Sequence, residues 1–307
     1  MEERPTRVRR DYRRGSGGRQ VAALVGVLLG FGLLAAIAWA FAGGGNTGAV
    51  APDEPATDAT ETAPPKPVLR IVFPEGFTRK QMAERIAAVN VIAEEKRKIT
   101  PSLSPPAYRR VTDKLAAGLP ADFKGVKAPN LEGFLFPATY EFTEDTTSRQ
   151  LVHMQLAAFG GAWKEVDMKY ARTKKLEPYD VLVIASMVEK EVLVPRERPL
   201  VAAVIYNRLR MGMRLEIDAT IRYGLDIPPT EPIHQSELES DNPYNTRKFA
   251  GLPPTPIGNP GLASMQAAAH PAEVNFLYFV RKPDCKSHFF TASFQKFLDY
   301  SRAGLQC

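Results

Sequence analysis

The chain has 307 residues, 44% hydrophobic and 24% charged, with a net charge of +6. That length and apolar content exclude a disordered chain and allow one or two domains with a real core. Two cysteines and four scattered histidines lack paired ligand spacing, which argues against a zinc framework; no metal and no cofactor are expected.

The charge is uneven. The first twenty residues, "MEERPTRVRRDYRRGSGGRQ", hold seven arginines. Val21 to Ala42 then runs 22 residues without a charge, enough for a helix to cross a bilayer core of ~30 Å. A soluble helix of that length rarely lacks a polar face. An Arg-rich segment before such a span stays cytoplasmic, so the reading is a single-pass inner-membrane protein with everything after Ala42 outside. Ala38-Trp39-Ala40 also fits a signal-peptide cleavage site, but the length of the run favours a retained anchor. Because topology accounts for the arginines, no nucleic-acid partner is expected. Residues 43–67, rich in Gly, Pro, Ala and Thr, read as a spacer.

Val68 to Asn90 reads as strand, turn and helix, with Thr78 and Gln81 as a capping box and Phe77 with Met82 as a hydrophobic staple. A polar, proline-interrupted connector follows to residue 125, with one helix from Tyr108 to Ala117. "LEGFLFPATYEF", Leu131 to Phe142, reads as an aromatic strand and turn. Helices are expected at 148–163, 178–192 and 197–211. Strands are expected at 275–282 and 287–292, and a closing helix begins at Ser293. Helices with few strands and no βαβ repeat predict an α+β fold. Cys285 and Cys307 lie in the exported part, where a disulfide could persist; the sequence leaves their pairing open.

"VLVIASMVEKEV", Val181 to Val192, ends an apolar run with Glu189 and Glu191. On a helix Val181, Ile184, Val188 and Glu191 share one stripe, and Glu189 lies about 160° away. Glu191 is therefore the carboxyl expected in apolar surroundings, where its pKa rises and it can serve as a general acid. Downstream come Asn207, Arg208, Glu216 and Asp218, then Tyr244, Asn245 and Thr246 in a rigid stretch, Asn242 to Pro271, with six prolines and three glycines. Such loops suit a carbohydrate groove. Ser186, Ser264, His270 and His288 are formal parts of a serine hydrolase, but no G-x-S-x-G elbow is present.

"ASMVEKE", "VIYNRLRMGMRLEIDATIRYG", "YNTRKFAGLPPTPIGNPGLASMQAAAHP" and "NFLYFV" occur in that order. Together they resemble the endolytic murein transglycosylases, the MltG or YceG-like family, over roughly residues 68 to 300. The resemblance implies a LysM-like module and connector at 68–125 and a YceG-like catalytic domain at 126–307. It implies an anchored lytic transglycosylase that cuts nascent peptidoglycan between N-acetylmuramic acid and N-acetylglucosamine and leaves 1,6-anhydro ends. Glu191 is then the single acid–base, and Glu189 a supporting residue. Glycan strands, inner-membrane lipid and peptidoglycan synthases are the implied partners. Two alternatives stand beside it: a non-catalytic envelope glycan-binding or scaffold protein, and a muramidase that uses water with Asp218 as its second carboxylate.

Overall fold

The structure is a computed structural model that describes residues 66–114 and 118–304. The expected tail at 1–20, the membrane span at 21–42, all but the end of the spacer, and Cys307 lie outside those residues. Among the described residues no helix is long and apolar enough to cross a membrane.

The fold is α+β, with ten α-helices and two small antiparallel sheets among the described residues. β1 (Leu69–Val72) leads through a turn at Gly76 to α1 (Arg79–Arg97). The expected capping box is present: Thr78 Oγ1 accepts from Gln81 N at 3.2 Å, and Gln81 Oε1 accepts from Thr78 N at 2.9 Å. The helix runs past Asn90 and stops where Lys98 turns left-handed. α2 (Pro105–Thr112) starts three residues earlier than Tyr108, because Ser104 caps it and prolines are tolerated in a first helical turn. Residues 115–117 are not described.

β2 (Thr139–Phe142) pairs with β1, setting Ile71 opposite Tyr140 and Leu69 opposite Phe142. The division at residue 125 thus runs between the two strands of one sheet. Only the last four residues of "LEGFLFPATYEF" are strand. The first half is a turn that drives Leu131, Phe134 and Leu135 fully into the core. α3 (Ser148–Trp163) occupies its predicted span, capped by Thr147 and Gln150. Phe123, Phe134, Phe159 and Trp163 interlock there, with ring centroids 4.7–5.9 Å apart.

After the short α4 (Lys169–Thr173) comes α5 (Pro178–Glu191). Every residue from Val181 to Val188 is buried, so the helix has no polar face and the expected single stripe is a full apolar cylinder. It is the central helix, packed against α6 (Arg198–Arg210), α7 (Asp218–Leu225) and α9 (Leu262–Ala269). An apolar surface all round is what such a position demands. α8 (Gln235–Leu238) is one turn. β3 (Tyr278–Arg281) and β4 (His288–Thr291) form the expected ribbon, closed by α10 (Phe294–Arg302). One continuous core runs from Leu69 to Ala269.

Candidate active site

The last turn of α5 opens into a cleft of ≈ 1200 Å³. Its walls come from the start of α1, the turn at Glu132, α7 with the segment before it, and the β3–β4 ribbon.

The three residues of the Glu-Lys-Glu triplet part company here. Glu189 turns away from the cleft. Its side chain is only 6% exposed. It accepts from Gly261 N at 3.0 Å and faces Arg198 at 3.5 Å. Arg198 also reaches Glu75 and donates to Ser264 Oγ. A Cβ on Gly261 would lie 1.8 Å from a Glu75 oxygen, so a larger residue there would push the Glu75 side chain aside. Lys190 lines the cleft and faces Glu132; burial lowers its pKa, and the charges of Glu132 and Glu189 oppose that.

Glu191 also lines the cleft, half-buried. Burial pushes its carboxyl up to about 7. Arg281 on β3 opposes the rise, the Asp218 charge adds to it, and a hydrogen bond from the Ala219 backbone and the charge of Arg247 hold it back. A carboxyl poised near neutrality can give a proton and then take one back. The sequence expected Glu191 to be the more enclosed of the two glutamates. Glu189 is at least as enclosed, because α5 is covered on every side; what separates them is that Glu191 faces open space.

The remaining expected residues divide in the same way. Arg208, Glu216, Asp218 and Tyr244 line the cleft. The Arg208 guanidinium is held from below by the carbonyls of Leu277, Arg214 and Leu215 and by Glu216. Glu216 sits at φ 55° and donates its N–H to Thr246 O. Asp218, at the start of α7, is ion-paired with Arg247 at 2.6 Å. The Tyr244 hydroxyl meets Thr255 at 2.7 Å. Asn207, Asn245 and Thr246 are scaffold instead. Asn207 donates to the carbonyls of Val274 and Phe276. Buried Asn245 donates to those of Leu238 and Ser240. Thr246 Oγ1 meets Ile217 N and Thr220 Oγ1.

The residue that the sequence reading overlooked is Glu132, only 3% exposed and lining the same cleft. Its turn is built locally: Asn130 Oδ1 accepts from Glu132 N, and Gly133 adopts φ 90° where a Cβ would meet Pro256 at 2.5 Å. The carboxylate accepts from Arg79 N at 3.1 Å, Asn259 Nδ2 at 2.8 Å and the Tyr223 hydroxyl at 3.1 Å. Burial pushes it up to about 7, while Arg79 and the Tyr223 bond hold it back. The signal for it was a lone acid inside an apolar run, the same one that marked Glu191. Among the described residues no group of three His, Cys, Asp or Glu side chains is placed to hold a metal.

Fold and cleft together define an α+β protein whose groove carries a poised carboxyl at the end of a buried helix. A profile of the YceG-like family matches residues 52–303, and the chain belongs to that family. It is 36% identical over 159 residues to the endolytic murein transglycosylase of Bacillus subtilis (strain 168), covering 52% of this chain and 44% of that protein. It is 33% identical over 238 residues to the endolytic murein transglycosylase of Streptococcus pneumoniae (strain ATCC BAA-255 / R6), covering 71% of this chain and 41% of the other. The chain thus spans less than half the length of these curated relatives. The crystal structure of a yceG-like protein from Listeria monocytogenes superposes with a TM-score of 0.61 at 31% identity, covering 75% of each chain.

Proposed function

We propose that the protein is an endolytic lytic transglycosylase that cuts peptidoglycan glycan strands, with Glu191 as its single acid–base. The observation that carries this reading is a carboxyl raised to about 7 by burial and open to a strand-sized groove, in a chain of the YceG-like family. Glu191 protonates the oxygen between N-acetylmuramic acid and N-acetylglucosamine. As carboxylate it then takes the proton of the muramoyl C6 hydroxyl. That oxygen closes on its own anomeric carbon and leaves a 1,6-anhydro end. No water enters, so no second carboxylate is needed, unlike an ordinary glycosidase. Asp218 lies near enough to add to the field at Glu191 and is the candidate stabiliser of the oxocarbenium-like charge. The apolar run at 21–42 anchors the enzyme in the inner membrane, with the cleft outside. There the substrate is nascent strand and peptidoglycan synthases are working partners.

The test is digestion of nascent, uncrosslinked strands by the protein and its Glu191→Gln form, read by mass spectrometry. Anhydro ends from the parent alone are the expected result. Reducing ends would make it a muramidase, and Asp218→Asn would then be the next variant. Binding without cleavage by either form would make it a glycan-binding protein.

A further inference from the structure

The cleft does not end at Glu191. Its wall takes in Phe279 and Arg281 from one face of β3, Val280 from the other, and Phe297 of α10. Beyond Phe297 the aromatic surface continues. Phe297 stacks on Tyr278 at 5.4 Å and 29°. Phe294 lies 5.4 Å from Tyr278 and 6.2 Å from Phe297, at 20° to the latter ring. Phe294 and Phe297 are three residues apart on one helix and so share a face. Tyr278 meets that face from the ribbon.

The cluster is not covered. α10 is held to the ribbon by Tyr300, whose ring lies flat on Phe289 at 4.4 Å. Yet none of its residues is buried, and Phe294 is 54% exposed. Single exposed apolar side chains are ordinary; three adjoining rings with a polar border mark a binding surface. The border here is Glu216. The Arg208 guanidinium lies 5.2 Å from the Tyr278 ring centroid and donates to Glu216 Oε2 at 3.1 Å. Glu216 is held at φ 55°, an uncommon conformation for a residue with a side chain, and that side chain is still 42% exposed. The ribbon itself is fastened to the body of the protein by His288, whose Nδ1 meets Glu197 Oε2 at 2.7 Å.

We infer that Phe294, Phe297 and Tyr278, with Glu216, form a sugar-binding subsite outside the cutting centre that takes a further ring of the glycan strand. The negative face of an aromatic ring attracts the polarised C–H bonds on the flat side of a sugar. The hydroxyls at the edge of that sugar donate to Glu216. Three residues of β3, about 10 Å of extended chain, separate Tyr278 from Arg281, whose charge acts on Glu191. That is more than the width of one sugar ring, so the subsite serves a ring beyond those joined by the bond that is cut. A bilayer or a second copy of the chain would cover the rings but strip water from the Glu216 carboxylate without replacing it. A ring that carries hydroxyls satisfies both, and the cluster adjoins the cleft through Phe297. The inference rests on the proposed reading that the cleft takes a glycan strand; it deepens that reading by making the grip on long strands depend on α10.

The test separates binding from cleavage. Affinity for peptidoglycan strands of graded length is measured by calorimetry in the Glu191→Gln background. Phe294→Ala should bind long strands about 5-fold more weakly, bind the shortest fragments as the parent does, and keep its Tm. Phe294→Tyr should retain the affinity and Phe294→Leu should not, since leucine keeps apolar surface but loses the flat face. Glu216→Ala should weaken the same long strands; the Phe294 series decides the matter should that variant not fold. In the cutting enzyme Phe294→Ala raises KM for long strands more than it lowers kcat. Equal weakening at every length, unchanged binding, or leucine serving as well as tyrosine would overturn the inference and leave the glycan reading intact. A dimer lost on sedimentation of Phe294→Ala would assign the rings to a second copy and overturn it too. A parent that binds no strand would remove the glycan reading and the subsite with it. Length-dependent binding by a protein that cuts nothing would sink the enzyme reading and leave the subsite standing.

Discussion

Two carboxyls share this cleft, and burial pushes both to about 7. Their surroundings differ in one respect. Glu132 is saturated by Arg79 N, Asn259 and Tyr223, which reach it from 53, 127 and 91 residues away. Glu191 has the Ala219 backbone and otherwise faces the groove. The shift alone does not tell an acid from an anchor; the count of donors does. A carboxyl already engaged by fixed donors has little left to offer a substrate, whereas one with a free oxygen can pass a proton.

The sharpest way to break this contrast is substitution. Glu191→Gln should lower the strand-cleavage rate by about 1000-fold with Tm held or slightly raised, measured by product mass spectrometry and calorimetry. Cleavage near the parent's rate would transfer the acid role elsewhere. Glu132→Ala should act the other way round. It strands three donors, one buried and two part-buried, so stability should fall by about 3 kcal/mol, read from urea unfolding. Unchanged stability would remove its anchor role.

The pH dependence sharpens the comparison further. For each carboxyl the folded pKa lies above its ordinary value of 4.5, so the folded state holds more protons between the two values. The contribution of these two carboxyls to stability is therefore full below pH 4.5, falls as pH rises towards about 7, and is flat beyond. Glu191→Gln should remove its share of that slope and leave Glu132's. A slope identical to the parent's would mean that Glu191 ionises as easily folded as unfolded. The smallest expected effect is that of Tyr223→Phe, which deletes one donor to Glu132. It should cost about 1 kcal/mol and leave cleavage close to normal; a loss of activity as large as that of Glu191→Gln would place Tyr223 in the chemistry.

Much of the fold was legible because its signals are local. Thr78 with Gln81 and Thr147 with Gln150 start helices through bonds three residues long. The apolar run into Glu191 marked both the helix and a carboxyl that lines the cleft. The polar residues of the proline-rich stretch were harder to place. Asn245 and Thr246 have the composition of a sugar site, yet Asn245 turns inward to carbonyls of its own loop and Thr246 to the Ile217 backbone before α7. Nothing in a linear pattern says which way such an amide or hydroxyl points. Glu132 stood out locally as an acid in an apolar run, but its role was hidden, since each partner of its carboxylate is remote in the chain. The His288–Glu197 pair spans 91 residues and was equally out of reach.

The seam at Asn259 has a consequence for how the protein comes into being. Asn259 Nδ2 donates to Phe77 O, 182 residues away, and its backbone carbonyl accepts from Gly76 N. A ribosome delivers the first of them long before the last. Until residue 259 has emerged, Glu132 lacks one of its donors and the Gly76–Phe77 turn lacks its bonds to Asn259. A half-made chain therefore holds Glu191 without a groove around it. On the proposed reading, the polymer-cutting groove would close only once residue 259 has been made.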